Sequence, residues 1–352
     1  MNVVFRADAS FAISSGHIMR CLTLAQALRE QGAKCHFVCK AHPGHLADLI
    51  IERGFSIILL TCHTLLAIDD FPVHAAWVGG SWQDDAEQTV VALQGQEVDC
   101  LVLDHYGLDA RWQRRLRPVV RRILVIDDLA DRPHDCDALL DQNIDFGQHS
   151  RYQALLPATA RQLLGPHYLL LGAGFQQPAT LEPGKILQRG LAFFGGADPC
   201  GYTWQLVNAL EWPSLQVVVG ANNPLRDEIE QRCHEKGWSF ACNTPQMANL
   251  MRQADFAIIS CGFTAYELAS LYVPSLLVAV SDIQVKVAKA LEAAGVACFV
   301  EDFTLCLSAA GLHQQLLRLP IQHPRLYRQF EYGGAERVAE WIMENTGGSD
   351  TV

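Results

Sequence analysis

Val3-Val4-Phe5-Arg6-Ala7-Asp8-Ala9-Ser10-Phe11-Ala12-Ile13-Ser14-Ser15-Gly16-His17-Ile18-Met19-Arg20 is the stretch whose reading decides the fold. Val3-Phe5 is a strand run, residues 6–16 form a loop rich in small side chains, and His17-Gln31 has helical spacing up to a stop at Gly32. A strand that passes through such a loop into a helix is the repeating unit of a doubly wound parallel sheet. The alternation continues outward. Lys34-Cys39, Ser56-Leu60, Val98-Asp104 and Ile123-Ile126 read as strands, with helices over His45-Arg53, Asp84-Gln94 and Asp109-Val120 between them.

From Asp131 to Pro183 the pattern loosens around five prolines and the Gly172-Ala173-Gly174 break, which predicts a domain junction. Alternation restarts at Gly190. Strands are expected at Leu191-Phe194, Gln216-Val219, Phe240-Cys242, Phe256-Ser260, Leu276-Val280 and Cys298-Val300. Helices are expected at Tyr202-Glu211, Pro224-Lys236, Pro245-Gln253, Thr264-Leu271 and Ile283-Ala294. The expected domains are 1–170 and 185–320, with a helical segment over 321–352 that packs back across the junction. The architecture is two open α/β sheets facing a central cleft, with ligands at the carboxyl ends of the strands.

The bulk composition fits an enzyme. The chain has 352 residues, half of them hydrophobic, and a formal charge of -11, whereas a nucleic-acid surface requires excess Lys and Arg. No nucleic-acid partner is expected. Pro274 interrupts the apolar run Leu268-Val280, which is shorter than the roughly 20 residues that span a bilayer, so no membrane insertion is expected. The amino terminus lacks the layout of a signal peptide, which predicts a cytoplasmic protein. The twelve cysteines are scattered without a Cys-x-x-Cys pair and read as reduced core residues.

Several loops have residues suited to a ligand. Ser15, Gly16, His17 and Arg20 surround the start of the first helix, where free N–H groups and the helix dipole favour a phosphate. The same dipole favours a neutral His17 imidazole, able to accept a proton. The alternative is a histidine that caps the helix and an Arg20 on the surface. Gly195-Gly196 ends the first strand of the second half and gives room for a pyrophosphate. At Ser260-Cys261-Gly262-Phe263-Thr264-Ala265-Tyr266-Glu267 a second strand turns through glycine into a helix. Glu267 suits a ribose diol there, while Thr264 with Glu267 also reads as a simple capping box. Tyr106, in Asp104-His105-Tyr106, suits a sugar or uracil ring or the edge of a core.

Other groups read as structural. Asp127-Asp128 lacks partners at metal-ligand spacing, His42-Pro43-Gly44-His45 is a turn, and arginines 111, 114, 115, 121 and 122 form a solvated face opposite Trp112, Leu116 and Val119. No Gly-x-Gly-x-x-Gly or P-loop fingerprint occurs, and neither metal nor cofactor is expected.

In series, the motifs resemble the UDP-2,4-diacetamido-2,4,6-trideoxy-β-L-altropyranose hydrolase family of pseudaminic acid biosynthesis. The resemblance is carried by Arg6-Ala7-Asp8-Ala9-Ser10, Gly16-His17-Ile18-Met19-Arg20-Cys21-Leu22, Leu103-Asp104-His105-Tyr106-Gly107-Leu108-Asp109 with Trp112, and Val125-Ile126-Asp127-Asp128-Leu129-Ala130. It continues in Leu140-Asp141-Gln142-Asn143, Leu164-Gly165-Pro166, Phe193-Phe194-Gly195-Gly196-Ala197-Asp198-Pro199 and Val217-Val218-Val219-Gly220-Ala221. It implies a glycosyltransferase-B-like fold related to the enzyme that adds N-acetylglucosamine to lipid I.

It also implies that His17 is the general base for water attack on the anomeric carbon, expelling UDP with inversion and without a metal. Glu267 matches the position expected to hold the nucleotide, and Tyr106 the position expected to line the sugar pocket. The chain departs from the family pattern at Cys261-Gly262-Phe263-Thr264-Ala265-Tyr266-Glu267-Leu268, at Gly172-Ala173-Gly174-Phe175, and at Asp282-Ile283-Gln284, where Gln284 is the amide left to touch substrate. Two other readings follow from the same residues: a glycosyltransferase of the same fold, and a nucleotide-sugar-binding protein without turnover.

Overall fold

The computed structural model describes residues 1–63, 71–144, 151–176, 187–196, 198–221, 223–319 and 332–344. Ala197, the side chain of Ile283 and the expected helix start at Pro324 lie outside them. The chain divides into two compact units, one formed by Met1–Leu170 with the segment from Gly333, the other by Leu171–Tyr332.

The first unit is a seven-stranded, all-parallel sheet in the order β3-β2-β1-β4-β5-β6-β7. Its strands are β1 (Asn2–Ala7), β2 (Lys34–Lys40), β3 (Ser56–Leu60), β4 (Cys100–Asp104), β5 (Ile123–Ile126), β6 (Ala138–Asp141) and β7 (Arg161–Leu164). Its helices are α1 (Gly16–Glu30), α2 (Ala47–Glu52), α3 (Trp82–Ala92) and α4 (Ala110–Leu116). The last two strands fall where the sequence suggested a loose junction. Ala138–Asp141 is only four residues long and buried throughout, so it shows none of the alternation that marks a half-exposed strand.

Side chains alternate along β1. Val3 and Phe5 join one core with Leu24 and Leu28 of α1, while Val4 joins the opposite core with Ala86 of α3 and Trp112 and Leu116 of α4. Arg6 projects toward the second face and is fully buried there. Its guanidinium pairs with Asp8 at 2.7 Å and Asp85 at 2.7 Å, and the Trp112 indole donates to Asp85 at 2.9 Å. A buried charge is tolerated only with such partners.

The second unit is a six-stranded parallel sheet in the order β10-β9-β8-β11-β12-β13. It comprises β8 (Arg189–Phe193), β9 (Ser214–Val219), β10 (Ser239–Cys242), β11 (Phe256–Ser260), β12 (Ser275–Val278) and β13 (Cys298–Phe299). With them run α5 (Tyr202–Ala209), α6 (Arg226–Glu235), α7 (Met247–Gln253), α8 (Phe263–Ser270), α9 (Asp282–Ala293) and α10 (Ala309–Leu316). The sequence reading left α10 unassigned.

The last described helix, α11 (Gly334–Glu344), belongs to the first unit and packs on α1 through Val338, Ala339 and Ile342. Burying Val338 or Ile342 contributes about 1.5–3 kcal/mol each. All twelve cysteines are free thiols. Among the described residues, no helix is long and apolar enough to cross a membrane.

Candidate active site

Each sheet reverses its strand order at one place, between β1 and β4 in the first unit and between β8 and β11 in the second. Loops leaving the two strands diverge there and open a crevice at their carboxyl ends. His17, Asp104 and Tyr106 lie at the first reversal, and Gly195, Gly196 and the Ser260–Gly262 turn at the second.

In the first unit, the β1–α1 loop closes on itself. Ser10 accepts from the backbone N–H groups of Ala12 and Ile13, and Ser14 takes a left-handed φ of 69°. The side chain of Ser15, the N-cap of α1, makes no capping bond. Gly16 is exposed, and a Cβ placed on it meets nothing within 4 Å among the described residues. His17 is turned inward, 6% exposed, with Nδ1 2.5 Å from Oδ1 of Asp104. At that distance from a carboxylate, Nδ1 carries the proton, and Nε2 of the neutral ring is left as the acceptor.

Arg20 departs from its expected contact with substrate. Nε and Nη2 each donate to Asp104 at 2.6 Å, and Nη1 lies 3.4 Å from Asp128. The guanidinium is buried and spent on carboxylates, so it holds the partner of His17. Burial raises the Asp104 pKa, but the charges and hydrogen bonds of Arg20 and His17 outweigh it and hold the carboxyl well below the usual range. Asp104 is the residue that sequence reasoning quoted without giving it a role.

Aromatic rings surround the histidine. Tyr106 meets His17 edge-on at a centroid distance of 4.6 Å, and its hydroxyl donates to Asp128 in a short hydrogen bond. Trp77, from a single 3-10 turn (Ala75–Val78), stacks beside Tyr106 at 5.8 Å and presents its edge to His17 at 6.3 Å. His74 closes the group, 4.4 Å from Trp77. The sequence reading missed Trp77 and His74. The signal was a Trp and a His just before the Gly79-Gly80 pair.

In the second unit, Asp198 accepts from the backbone N–H groups of Tyr202 and Thr203, so a carboxylate already occupies the start of α5. The start of α8 differs. Its N-cap is Gly262, which has no side chain to offer, so Thr264 is not the cap and the capping-box alternative does not form. Glu267 is only partly exposed. Burial pushes its carboxyl up to about 7, and a hydrogen bond from the Thr264 side chain offsets only part of that rise.

Gly195 has a φ of 90°, and Gly196 runs so close to Gly220 that a Cβ on Gly220 would lie 2.3 Å from the Gly196 carbonyl oxygen. Gln284 departs from its expected role. Its side-chain oxygen accepts from the Val280 N–H, one residue before the N-cap, at 2.9 Å while Ser281 accepts from the Gln284 N–H, so the amide is used in closing the start of α9.

Asp127 and Asp128 do not act as a pair. Asp127 is buried against Arg132 at 2.8 Å and receives the Tyr152 hydroxyl, whereas Asp128 turns toward Arg20 and Tyr106. Among the described residues, no group of three or more His, Cys, Asp or Glu side chains is placed to hold a metal ion.

No family model matches the chain. It is 25% identical over 264 residues to the UDP-2,4-diacetamido-2,4,6-trideoxy-beta-L-altropyranose hydrolase of Campylobacter jejuni, a match covering 74% of this chain and 85% of that protein. MurG of Acinetobacter baumannii superposes with a TM-score of 0.61 at 14% identity, over 97% of this chain and 99% of that one. The spinosyn rhamnosyltransferase SpnG superposes with a TM-score of 0.62 at 14% identity, over 97% of this chain and 100% of that one. By fold the chain is a pair of Rossmann-like α/β units of the glycosyltransferase-B type, and by sequence it is similar to a UDP-sugar hydrolase.

Proposed function

We propose that this protein hydrolyses a UDP-linked diacetamido-trideoxy sugar, as in pseudaminic acid biosynthesis, by water attack at the anomeric carbon. The observation that carries the reading is the His17–Asp104 pair. With Nδ1 committed to a buried carboxylate, Nε2 is the nitrogen that takes the proton from water, and the imidazolium formed is stabilised by the Asp104 charge. The water oxygen forms the new bond to the anomeric carbon as the bond to the β-phosphate oxygen breaks. UDP leaves with both electrons, and the configuration inverts.

The second unit supplies the nucleotide site in this reading. The uncapped start of α8 and the Gly195-Gly196 turn offer backbone N–H groups to the leaving diphosphate, and Glu267 accepts from the ribose diol. Ser15 and Gly16 at the open start of α1 contact the sugar, with Tyr106 as one wall of its pocket. Arg20 serves by fixing Asp104. A second reading, transfer of the sugar to an acceptor, is favoured by the glycosyltransferase fold of the structural neighbours.

The test is UDP release from the candidate UDP-sugar by purified protein, with and without acceptor, for wild type and His17→Ala. Release in water alone that disappears in the variant supports the hydrolase. Release that requires an acceptor makes the protein a transferase, and binding without turnover refutes both.

A further inference from the structure

Asp8 follows β1 and is fully buried, yet it lies outside the groups assigned so far to the reaction. Its two oxygens have different neighbours. Oδ1 accepts from Arg6 at 2.7 Å and from the Lys40 backbone N–H, at the end of β2, at 2.6 Å. Oδ2 faces Nε2 of His105 at 3.2 Å and Nε2 of His42 at 3.7 Å. Asp8 thus hydrogen-bonds the ends of two adjacent strands, β1 and β2, through Oδ1, while Oδ2 faces the end of β4 at ion-pair distance without an aligned hydrogen bond. Burial works against its charge, but Arg6 and the two imidazoles prevail and hold the carboxyl well below the usual range.

The contact with His105 reaches the His17 site. His105 stands between Asp104 and Tyr106, the two residues that grip His17. Nδ1 of His105 accepts the Gly107 N–H at 3.0 Å, and burial favours the neutral ring, so its proton sits on Nε2, toward Asp8. The turn is clamped from the other side as well. A Cβ on Gly107 would fall 2.6 Å from the His74 carbonyl oxygen and 2.9 Å from Val78. A shift of this turn moves Asp104 relative to His17, and a displacement of 1 Å at a reacting group costs on the order of 100-fold in rate.

We propose that Asp8 is a positioning residue that sets the His17–Asp104 geometry through His105. This rests on the hydrolase reading of His17. A carboxylate is required because one oxygen must accept two N–H groups while the other faces an imidazole N–H. In Asp8→Asn the single amide oxygen stays with Arg6 and Lys40, and the NH₂ group then opposes the His105 N–H, donor against donor.

The experiment uses the full chain and two readouts: kcat and KM for UDP release, and the NMR signal of the His17 Nδ1 proton in ¹⁵N-histidine-labelled protein. Asp8→Asn should lower kcat by about 10- to 100-fold with KM changed less than about threefold, and move the Nδ1 proton upfield as its bond to Asp104 lengthens. His105→Gln, whose amide keeps an N–H donor toward the Asp8 carboxylate, should stay within about fivefold of wild type, whereas His105→Leu should lose as much as Asp8→Asn. If Asp8→Asn does not fold, the two His105 variants carry the test. A folded Asp8→Asn or His105→Leu protein with unchanged kcat and Nδ1 signal overturns the proposal. If wild type releases no UDP, the hydrolase reading fails, and the Nδ1 signal alone still decides whether Asp8 positions His17.

Discussion

Nδ1 of His17 lies 2.5 Å from Oδ1 of Asp104, and Arg20 closes on both oxygens of the same carboxylate. The carboxylate therefore has two tasks, to orient the imidazole and to neutralise a buried guanidinium. Asp104→Asn disturbs both. An amide NH₂ facing the ring favours the tautomer with its proton on Nε2, which removes the base and should lower kcat by on the order of 10³- to 10⁴-fold. It also leaves Arg20 short of charge in a buried site, which should cost about 3–5 kcal/mol in urea unfolding. A folded variant that keeps more than a tenth of wild-type kcat would show that Asp104 does not orient the base.

Glu267 should make both stability and nucleotide binding depend on pH. Its carboxyl is pushed up to about 7 in the folded chain by burial, against about 4.3 in an unfolded one. Between these values the folded state binds more protons than the unfolded state. Its contribution to stability is complete below pH 4.3 and is lost as pH rises through 7. UDP affinity should run the opposite way, since the ribose diol donates best to the ionised form. Calorimetric titration of UDP from pH 6 to 8 should show tightening for wild type and a flat, weaker profile for Glu267→Gln. The same slope in wild type and variant would remove Glu267 from the nucleotide site.

The parts legible in the sequence were those written locally. The run from Val3 through Gly16 to Arg20 announced strand, loop and helix, because period-2 and period-3.6 patterns need only neighbouring residues. The His17–Asp104 pair was not legible. Asp104 reaches His17 because β4 pairs beside β1 with Ala7 opposite Asp104, and strand order is a property of the whole sheet. Arg20 and Gln284 show a second limit: residue type reveals which hydrogen bonds a side chain can make, while the fold decides whether they are already used. Trp77 stands in a four-residue turn with no periodicity to read.

Gly220→Ala tests the backbone approach that shapes the second unit's turn. Its added Cβ would lie 2.3 Å from the oxygen and 2.5 Å from the Cα of Gly196, backbone atoms that no rotamer change can move aside. The variant should lose about 1–3 kcal/mol in urea unfolding and weaken UDP binding through the displaced Gly195-Gly196 turn. Unchanged stability would mean that the β8 and β9 ends accommodate a methyl group.

Gly16→Ala separates a glycine needed for folding from one needed for a ligand. Gly16 opens α1 without a left-handed φ, and its Cβ would enter open space. Among the described residues nothing requires glycine there, and alanine in a helix is favoured over glycine by about 0.5–1 kcal/mol, so thermal unfolding should shift upward or stay in place. If a sugar or phosphate packs on the exposed backbone beside His17, the methyl group occupies that contact. KM for the UDP-sugar should then rise about tenfold while affinity for free UDP, held by the second unit, stays unchanged. Equal KM values for wild type and variant would mean that substrate does not approach α1 at Gly16, and the role proposed for its open N-terminus would fall with it.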